Sequence, residues 1–321
     1  MLLLEVRGLT VEYQTEQGNF RAVEDLSFQL EPGKTLGLVG ESGCGKTTSM
    51  LAIMRLLPEA GRILAGEVRF NGKDLMRIPV SEMRSYRWRN ISMIFQGAMN
   101  ALNPTRTIES QIAEVMQVHD YGSTHDIKTE VRSLLEMVGI SPDLATRYPH
   151  EYSGGMRQRA MIAMALSCRP EIIIADEPTT ALDVMIQAQI LDLLQHLQEH
   201  MDIAVILVTH DLGVVAEICD DVVVMYGGWL AEYSSSDVIY NNPRHPYTQR
   251  LLEAFPDIQK PGAELASIPG QPPPLNNPPR GCRFEPRCHQ AVESCAKETP
   301  QIYQVAPGHV LRCLRVEDNE I

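Results

Sequence analysis

Residues 40–47 read Gly-Glu-Ser-Gly-Cys-Gly-Lys-Thr, which fits the pattern G-x-x-x-x-G-K-S/T at every fixed position. They follow an apolar run, residues 35–39, of strand length and composition. Residues 46–57 then have helical spacing and stop before Pro58. Strand, glycine turn and helix in that order build an anion cradle. Gly40, Gly43 and Gly45 let the backbone turn its N–H groups inward, and the opening helix adds its positive end. Lys46 would reach the outer phosphates of a nucleotide and Thr47 would ligate Mg²⁺. Cys44, beside Lys46 and at a helix N-terminus, is expected to have a depressed thiol pKa.

The bulk numbers exclude several classes. A chain of 321 residues holds one large core plus an appendage, or two modest domains. A net charge of −13 argues against a nucleic-acid groove, which needs clustered Lys and Arg to displace counterions. The longest apolar runs, such as 203–208 and 172–175, are strand-sized and far short of a membrane span. Met1-Leu-Leu-Leu is followed at once by Glu5 and Arg7, so no signal peptide is read, and a reducing, cytoplasmic location is expected. Seven cysteines there are not expected to pair as disulfides.

Further motifs follow in order. Residues 2–13 read as an edge or antiparallel strand ending in Tyr13, whose plain reading is a strand aromatic. Residues 66–71 read as a short strand into an Asn71-Gly72 turn. Residues 91–95 form another strand closed by Gln96, where a loop with Gly, two Asn and a Pro begins. Helical spacing over 108–118 and 127–138 marks an inserted helical subdomain, about 85–168. Within it, Tyr152-Ser-Gly-Gly-Met-Arg-Gln-Arg159 leads into an apolar helix, 160–167. A Ser-Gly-Gly turn there is either a second anion site or an ordinary serine N-cap.

Residues 171–178 are a buried β-type run that exits on Asp176 and Glu177. Strand neighbours point to opposite sides, so the two carboxylates have different tasks: one holds Mg²⁺, the other takes a proton from water. A helix over 186–200 and a strand over 203–209 follow, the strand ending in His210, which reads as a structural hydrogen-bonder or a catalytic group.

The ordered set resembles the ATP-binding subunit of ABC transporters over residues 1–235. The resemblance implies an α/β fold: a RecA-like parallel sheet with an antiparallel β edge and a helical subdomain. It implies that Tyr13 stacks on adenine, that Gly40, Ser42, Gly43, Cys44, Gly45, Lys46, Thr47 and Thr48 hold the triphosphate, and that Gln96 senses Mg²⁺ and the attacking water. Asp176 becomes the Mg²⁺ carboxylate, Glu177 the general base and His210 the γ-phosphate contact. Ser153 and Gly155 would grip ATP bound to an opposite subunit, so a complete site needs two chains, head to tail. Many relatives carry Asp-Pro after Gln96, where Gly97-Ala98 stands here; the resemblance makes this the membrane-subunit docking loop.

The remainder, 236–321, narrows the resemblance. Asn242-Pro-Arg-His-Pro-Tyr-Thr248 resembles a signature of oligopeptide, dipeptide and nickel importer ATPases. A connector over 256–279 holds eight prolines and reads as extended and stiff. Segment 280–321 carries Cys282, Cys288, Cys295 and Cys313, and has few large apolar residues to build a core alone. Their spacing fits neither the usual zinc pattern nor the compact ferredoxin run, so a cluster, zinc and free thiols all stay open. The resemblance implies a 4Fe–4S cluster on these four, with His289 and His309 as bystanders.

The implied whole is a peripheral ATPase on the cytoplasmic face of the membrane. It would pair with a paralogous ATPase, or with itself in isolation, and power two permease subunits fed by an extracytoplasmic binding protein, with no nucleic acid. Peptide is the first expected solute, nickel or oligosaccharide the next. Two rivals are soluble ABC ATPases. DNA-repair types carry a long coiled-coil insertion and translation factors two cassettes; neither feature is in this chain.

Overall fold

From Leu4 the chain alternates apolar and polar residues, and Leu4, Val6, Leu9 and Val11 are all buried. The three-residue gap between Val6 and Leu9 breaks the two-residue period. Pairing shifts register there, through a bulge that keeps the apolar set on one face. In this computed structural model, which describes residues 2–16, 18–97, 101–180, 182–254 and 268–316, that segment is β1 (Leu4–Thr15). It pairs antiparallel with β2 (Gly18–Leu30) on one side and β4 (Gly61–Phe70) on the other. A turn at Asn71 and Gly72, both at positive φ, leads to β5 (Lys73–Asp74). The expected strand 66–71 is therefore the second half of a ten-residue strand.

The chain folds into two compact units. The first comprises residues 1–31, 35–76 and 209–321; the second 32–34 and 77–208. Besides the antiparallel sheet, the first unit holds β3 (Thr35–Val39), every residue of it buried, parallel to β9 (Asp221–Tyr226). Next to β9 runs β10 (Trp229–Ser235), antiparallel, followed outward by β12 (His309–Leu311) and β11 (Tyr303–Ala306). Two strands of the cysteine-bearing segment thus extend a sheet of the first unit. Its helices are α1 (Lys46–Ile53), α7 (Leu212–Ile218), α8 (Ser236–Asn241), α9 (Pro246–Glu253) and α10 (Glu293–Lys297).

In the second unit β6 (Ile91–Ile94), β7 (Ile172–Asp176) and β8 (Ala204–Thr209) run parallel in the order β8-β7-β6. All three are buried along their length, as continuous Ile/Val runs in a parallel sheet require. Around them lie α2 (Val80–Tyr86), α3 (Ile108–Val118), α4 (Thr124–Met137), α5 (Gly154–Leu166) and α6 (Val184–Met201). The helix expected over 127–138 starts three residues earlier, because Ser123 and Asp126 close a capping box. The architecture is mixed α/β with an antiparallel sheet and a helical part. Of the connector expected over 256–279, residues 256–267 lie outside the described residues, as does Ala98.

Candidate functional site

In the first unit, the loop after β3 carries Gly40, Gly43 and Gly45, all at positive φ. Gly45 precedes α1 at φ 106°, and a Cβ there would stand 2.6 Å from the Ala22 carbonyl. Only glycine fits, and the first turn of α1 carries no side-chain cap. Its N–H groups and the helix positive end face the loop. The Lys46 ammonium, buried, donates to the Gly40 carbonyl at 2.7 Å and the Glu41 carbonyl at 3.2 Å. Ser42 and Gly43 are exposed, and Thr47 and Thr48 half-buried.

Cys44 corrects an expectation. The thiol is 3% exposed, and burial pushes its pKa up despite the lowering effect of the Lys46 charge and hydrogen bonds. Desolvation of a thiolate outweighs one adjacent ammonium. His210 is exposed just beyond β8, and Asp211 caps α7 by accepting from the Gly213 and Val214 N–H groups.

A cavity of about 780 Å³ opens on the glycine loop, lined by residues 41–44, by Thr15, Glu16 and Phe20, by Tyr226 and Gly227, and by residues 271–276. The Tyr13 ring is not in this lining; it stacks on Phe20 with centroids 5.8 Å apart. Phe20 went unread in the sequence because β2 was not recognised.

The second unit carries the carboxylates. Asp176, the last residue of β7, is 1% exposed. Glu177 leaves the strand at φ 47°, so a left-handed turn rather than strand alternation separates the two side chains. Its N–H still bonds the Val208 carbonyl at 2.8 Å, and its carboxylate accepts from Gln96 at 2.7 Å and Thr180 at 2.9 Å. A strained backbone held by its neighbours at a carboxylate suits a group fixed in place for chemistry.

Ser153 caps α5, its Oγ accepting from the Met156 N–H at 3.2 Å. Within the chain, then, the serine does its ordinary local task. Gly155 is buried, and a Cβ there would meet Ile186 Cγ2 at 2.9 Å. The expected helix 160–167 begins six residues earlier, so the Ser-Gly-Gly turn is its first turn.

The segment 242–248 is organised by a fully buried carboxylate, Glu232 on β10. It accepts from the Arg244 N–H at 2.7 Å and the His245 N–H at 3.0 Å, and bonds His309 Nε2 at 2.7 Å. Burial opposes ionisation, yet these partners hold the Glu232 carboxyl below its ordinary range. His245 Nδ1 accepts from the Tyr247 N–H while Nε2 faces the Arg312 carbonyl at 3.2 Å. Burial drives the pKa of His245 down to about 4, so it is neutral and Nε2 carries the proton.

Segment 280–316 is not a free appendage. Phe284 is buried against Tyr226 and Tyr247, at centroid distances of 5.0 and 5.3 Å. Arg283 pairs with Glu24 at 2.5 Å and lies over the Trp229 ring; Arg312 pairs with Asp25 at 2.7 Å. Aromatic packing and ion pairs supply the core that the short segment cannot build alone. Cys295 and Cys313 are buried, Cys282 and Cys288 half-buried. Burial pushes the Cys282 thiol to about 12 and Cys313 to about 11, and raises Cys288. Within the set, every pair of thiols is close enough that charge on one raises the pKa of another. Among the described residues, however, no three His, Cys, Asp or Glu side chains form a group that could hold a metal ion. No helix among them is long and apolar enough to cross a membrane.

Residues 23–180 match the ABC transporter family, and residues 231–295 match the oligopeptide/dipeptide transporter C-terminal region. The chain is 47% identical to the oligopeptide transport ATP-binding protein OppD of Salmonella typhimurium, over 98% of this chain and 94% of OppD. It belongs to the ABC transporter ATP-binding family. The dipeptide transport ATP-binding protein DppD of Escherichia coli is 46% identical over 98% of this chain and 96% of DppD. The fold matches a dimeric ATP-binding cassette, MJ0796, solved with ADP and phosphate: TM-score 0.65 at 26% identity, over 73% of this chain and 98% of that one. As a member of this family the chain is an ABC ATPase, and the glycine loop after β3 is its phosphate-binding element.

Proposed function

We propose that this chain is the ATP-hydrolysing subunit of a membrane importer for oligopeptides or dipeptides, acting at the cytoplasmic face. The observation that carries this is the pairing of an ABC cassette with the peptide-transporter C-terminal region, in a chain similar to OppD and DppD over almost its whole length. The working unit would be two ATPase subunits, this chain and a paralogue or a second copy, beneath two permease subunits. An extracytoplasmic binding protein would deliver the solute.

In this reading residues 40–48 bind the triphosphate, with Lys46 on the outer phosphates and Tyr13 on the adenine side. Thr47, Gln96 and Asp176 would hold Mg²⁺; a buried carboxylate at a strand end is the hard oxygen donor such an ion takes. When bound, Mg²⁺ neutralises phosphate charge. Glu177 takes the proton of the attacking water, oriented by the hydrogen bonds it accepts from Gln96 and Thr180. His210 contacts the γ-phosphate. Ser153 and Gly155 contact ATP held by the opposing subunit, which makes hydrolysis depend on dimer closure.

Cys282, Cys288, Cys295 and Cys313 would hold a 4Fe–4S cluster that cross-links the C-terminal segment. The mutual influence of the four thiols supports it. A single zinc needs its sulfurs about 2.3 Å from one point, and no described group offers that to a metal ion. Thiolates on a cluster ligate different irons and need not converge.

The test is to purify the chain together with the proteins encoded beside it and to reconstitute the complex in liposomes. Co-elution with polytopic membrane proteins and peptide uptake driven by ATP are expected. Co-elution with ribosomes or DNA, without permeases, would overturn the transport reading.

A further inference from the structure

The cavity over the glycine loop has two side walls. One is the expected one, made by Thr15, Glu16 and Phe20 of the antiparallel sheet. The other comes from the C-terminal segment: residues 271–276, Gln-Pro-Pro-Pro-Leu-Asn, line the same cavity. Three successive prolines present a preformed, low-entropy apolar surface with polar side chains at each end.

One side chain fixes this wall. Arg287, 8% exposed, grips both carboxylate oxygens of Glu41, at 2.6 and 3.0 Å. Glu41 is the second residue of the phosphate-binding loop. The same guanidinium donates from Nε to the Pro269 carbonyl at 2.8 Å and from Nη2 to the Ile268 carbonyl at 3.3 Å, where the wall begins. It also donates to the Tyr226 hydroxyl at 3.2 Å. Tyr247, of the 242–248 segment, accepts from the Glu41 N–H at 3.1 Å. A planar fork satisfied on every side sets orientation in a way a lysine cannot copy.

We propose that residues 271–276 are a nucleoside-contacting wall of the chain's own ATP pocket, and that Arg287 is the positioning residue that registers this wall against the phosphate-binding loop. The C-terminal segment is then part of the nucleotide site. The inference rests on the assignment of residues 40–48 as that loop. The wall faces the space beyond the loop, so it meets base and ribose while the glycine turn and α1 take the phosphates. A fork that merely glued the segment to the sheet would affect stability and leave nucleotide affinity alone.

The test measures binding of ATP, ADP and inorganic tripolyphosphate to the full-length chain by calorimetry, for wild type, Leu275→Ala and Arg287→Lys, with melting temperatures alongside. Leu275 lines the cavity and is half-buried, so its truncation opens the wall without emptying a core. Leu275→Ala should weaken ATP and ADP by about tenfold, the scale of a lost apolar contact in a pocket, and leave tripolyphosphate within about twofold. Arg287→Lys should weaken both nucleotides by a similar factor. If both variants bind ATP like wild type and Arg287→Lys only melts earlier, the wall and its positioning residue are overturned. If tripolyphosphate weakens as much as ATP in Leu275→Ala, the wall does not contact the nucleoside. Wild type that binds tripolyphosphate but not ATP removes the wall alone; wild type that binds neither removes the phosphate-loop reading as well.

Discussion

Gln96 Nε2 donates to Glu177 Oε2 at 2.7 Å, joining the residue after β6 to the residue after β7 across 81 positions of sequence. Glu177 itself sits at φ 47°, a conformation costing about 1–2 kcal/mol for an L-residue. The amide and the Thr180 hydroxyl hold the carboxylate that this strained turn projects.

Glu177→Gln keeps the shape of the side chain but cannot accept the water's proton. The variant should bind ATP and lose about 10² to 10⁴ in hydrolysis rate, and the trapped ATP should hold a dimer visible in gel filtration. Turnover within twofold of wild type in the assembled complex would assign the base elsewhere.

Cys44 is buried with a raised thiol pKa, so at pH 7 it holds less thiolate than an exposed cysteine. In native protein, maleimide should label it more slowly than a cysteine in a short peptide, and the rate should climb as pH rises above 8. Mass spectrometry of the peptide containing Cys44 reads this directly. Fast labelling at pH 7 would show that the lysine, not burial, governs the thiol.

His245 is neutral in the fold, with a pKa of about 4 against an ordinary value near 6.5. Between those values the unfolded chain binds a proton that the folded chain does not. Stability is therefore full above 6.5 and falls as pH drops toward 4, by on the order of 3 kcal/mol in total. Asn can still cap α9 but does not titrate, so His245→Asn should be less stable at pH 7.5 yet lose less between pH 6.5 and 4.5. Denaturant melts at both pH values check it; parallel losses in the two proteins would place the acid sensitivity on other groups.

The four C-terminal thiols give a compositional test. Protein purified without oxygen should be brown and carry about four irons per chain, and Cys282→Ser should lower that count. One zinc and no iron would replace the cluster by a single ion, despite the absence of a suitable group among the described residues. Neither metal, in protein that hydrolyses ATP, would leave the thiols free and the Phe284 packing as the segment's anchor.

Much of the nucleotide machinery was legible along the chain because its chemistry is local. Glycines at fixed spacing before Lys46, an Ile run ending in Asp176, and the boundaries Ile108–Val118 of α3 all read correctly from short windows. Local interactions set them: turn geometry, strand burial and a Thr107 N-cap. β2 was missed because its pairing shifts register more than once and Asp25 lies at positive φ, which breaks the two-residue period. The depressed thiol expected for Cys44 failed for a related reason. Sequence shows the lysine two positions away, whereas burial by distant residues decides the sign.

The sequence by itself determined which groups are available: a phosphate loop, two carboxylates, a histidine, a Ser-Gly-Gly turn and four late cysteines. Only the tertiary structure decided what they face. Glu41 meets Arg287 across 246 residues, and Glu232 gathers Arg244, His245 and His309 around one buried carboxylate. Such contacts leave no periodic mark. Each is a single polar pair whose value comes from removal from water, and burial is a property of the whole packed chain rather than of any window within it.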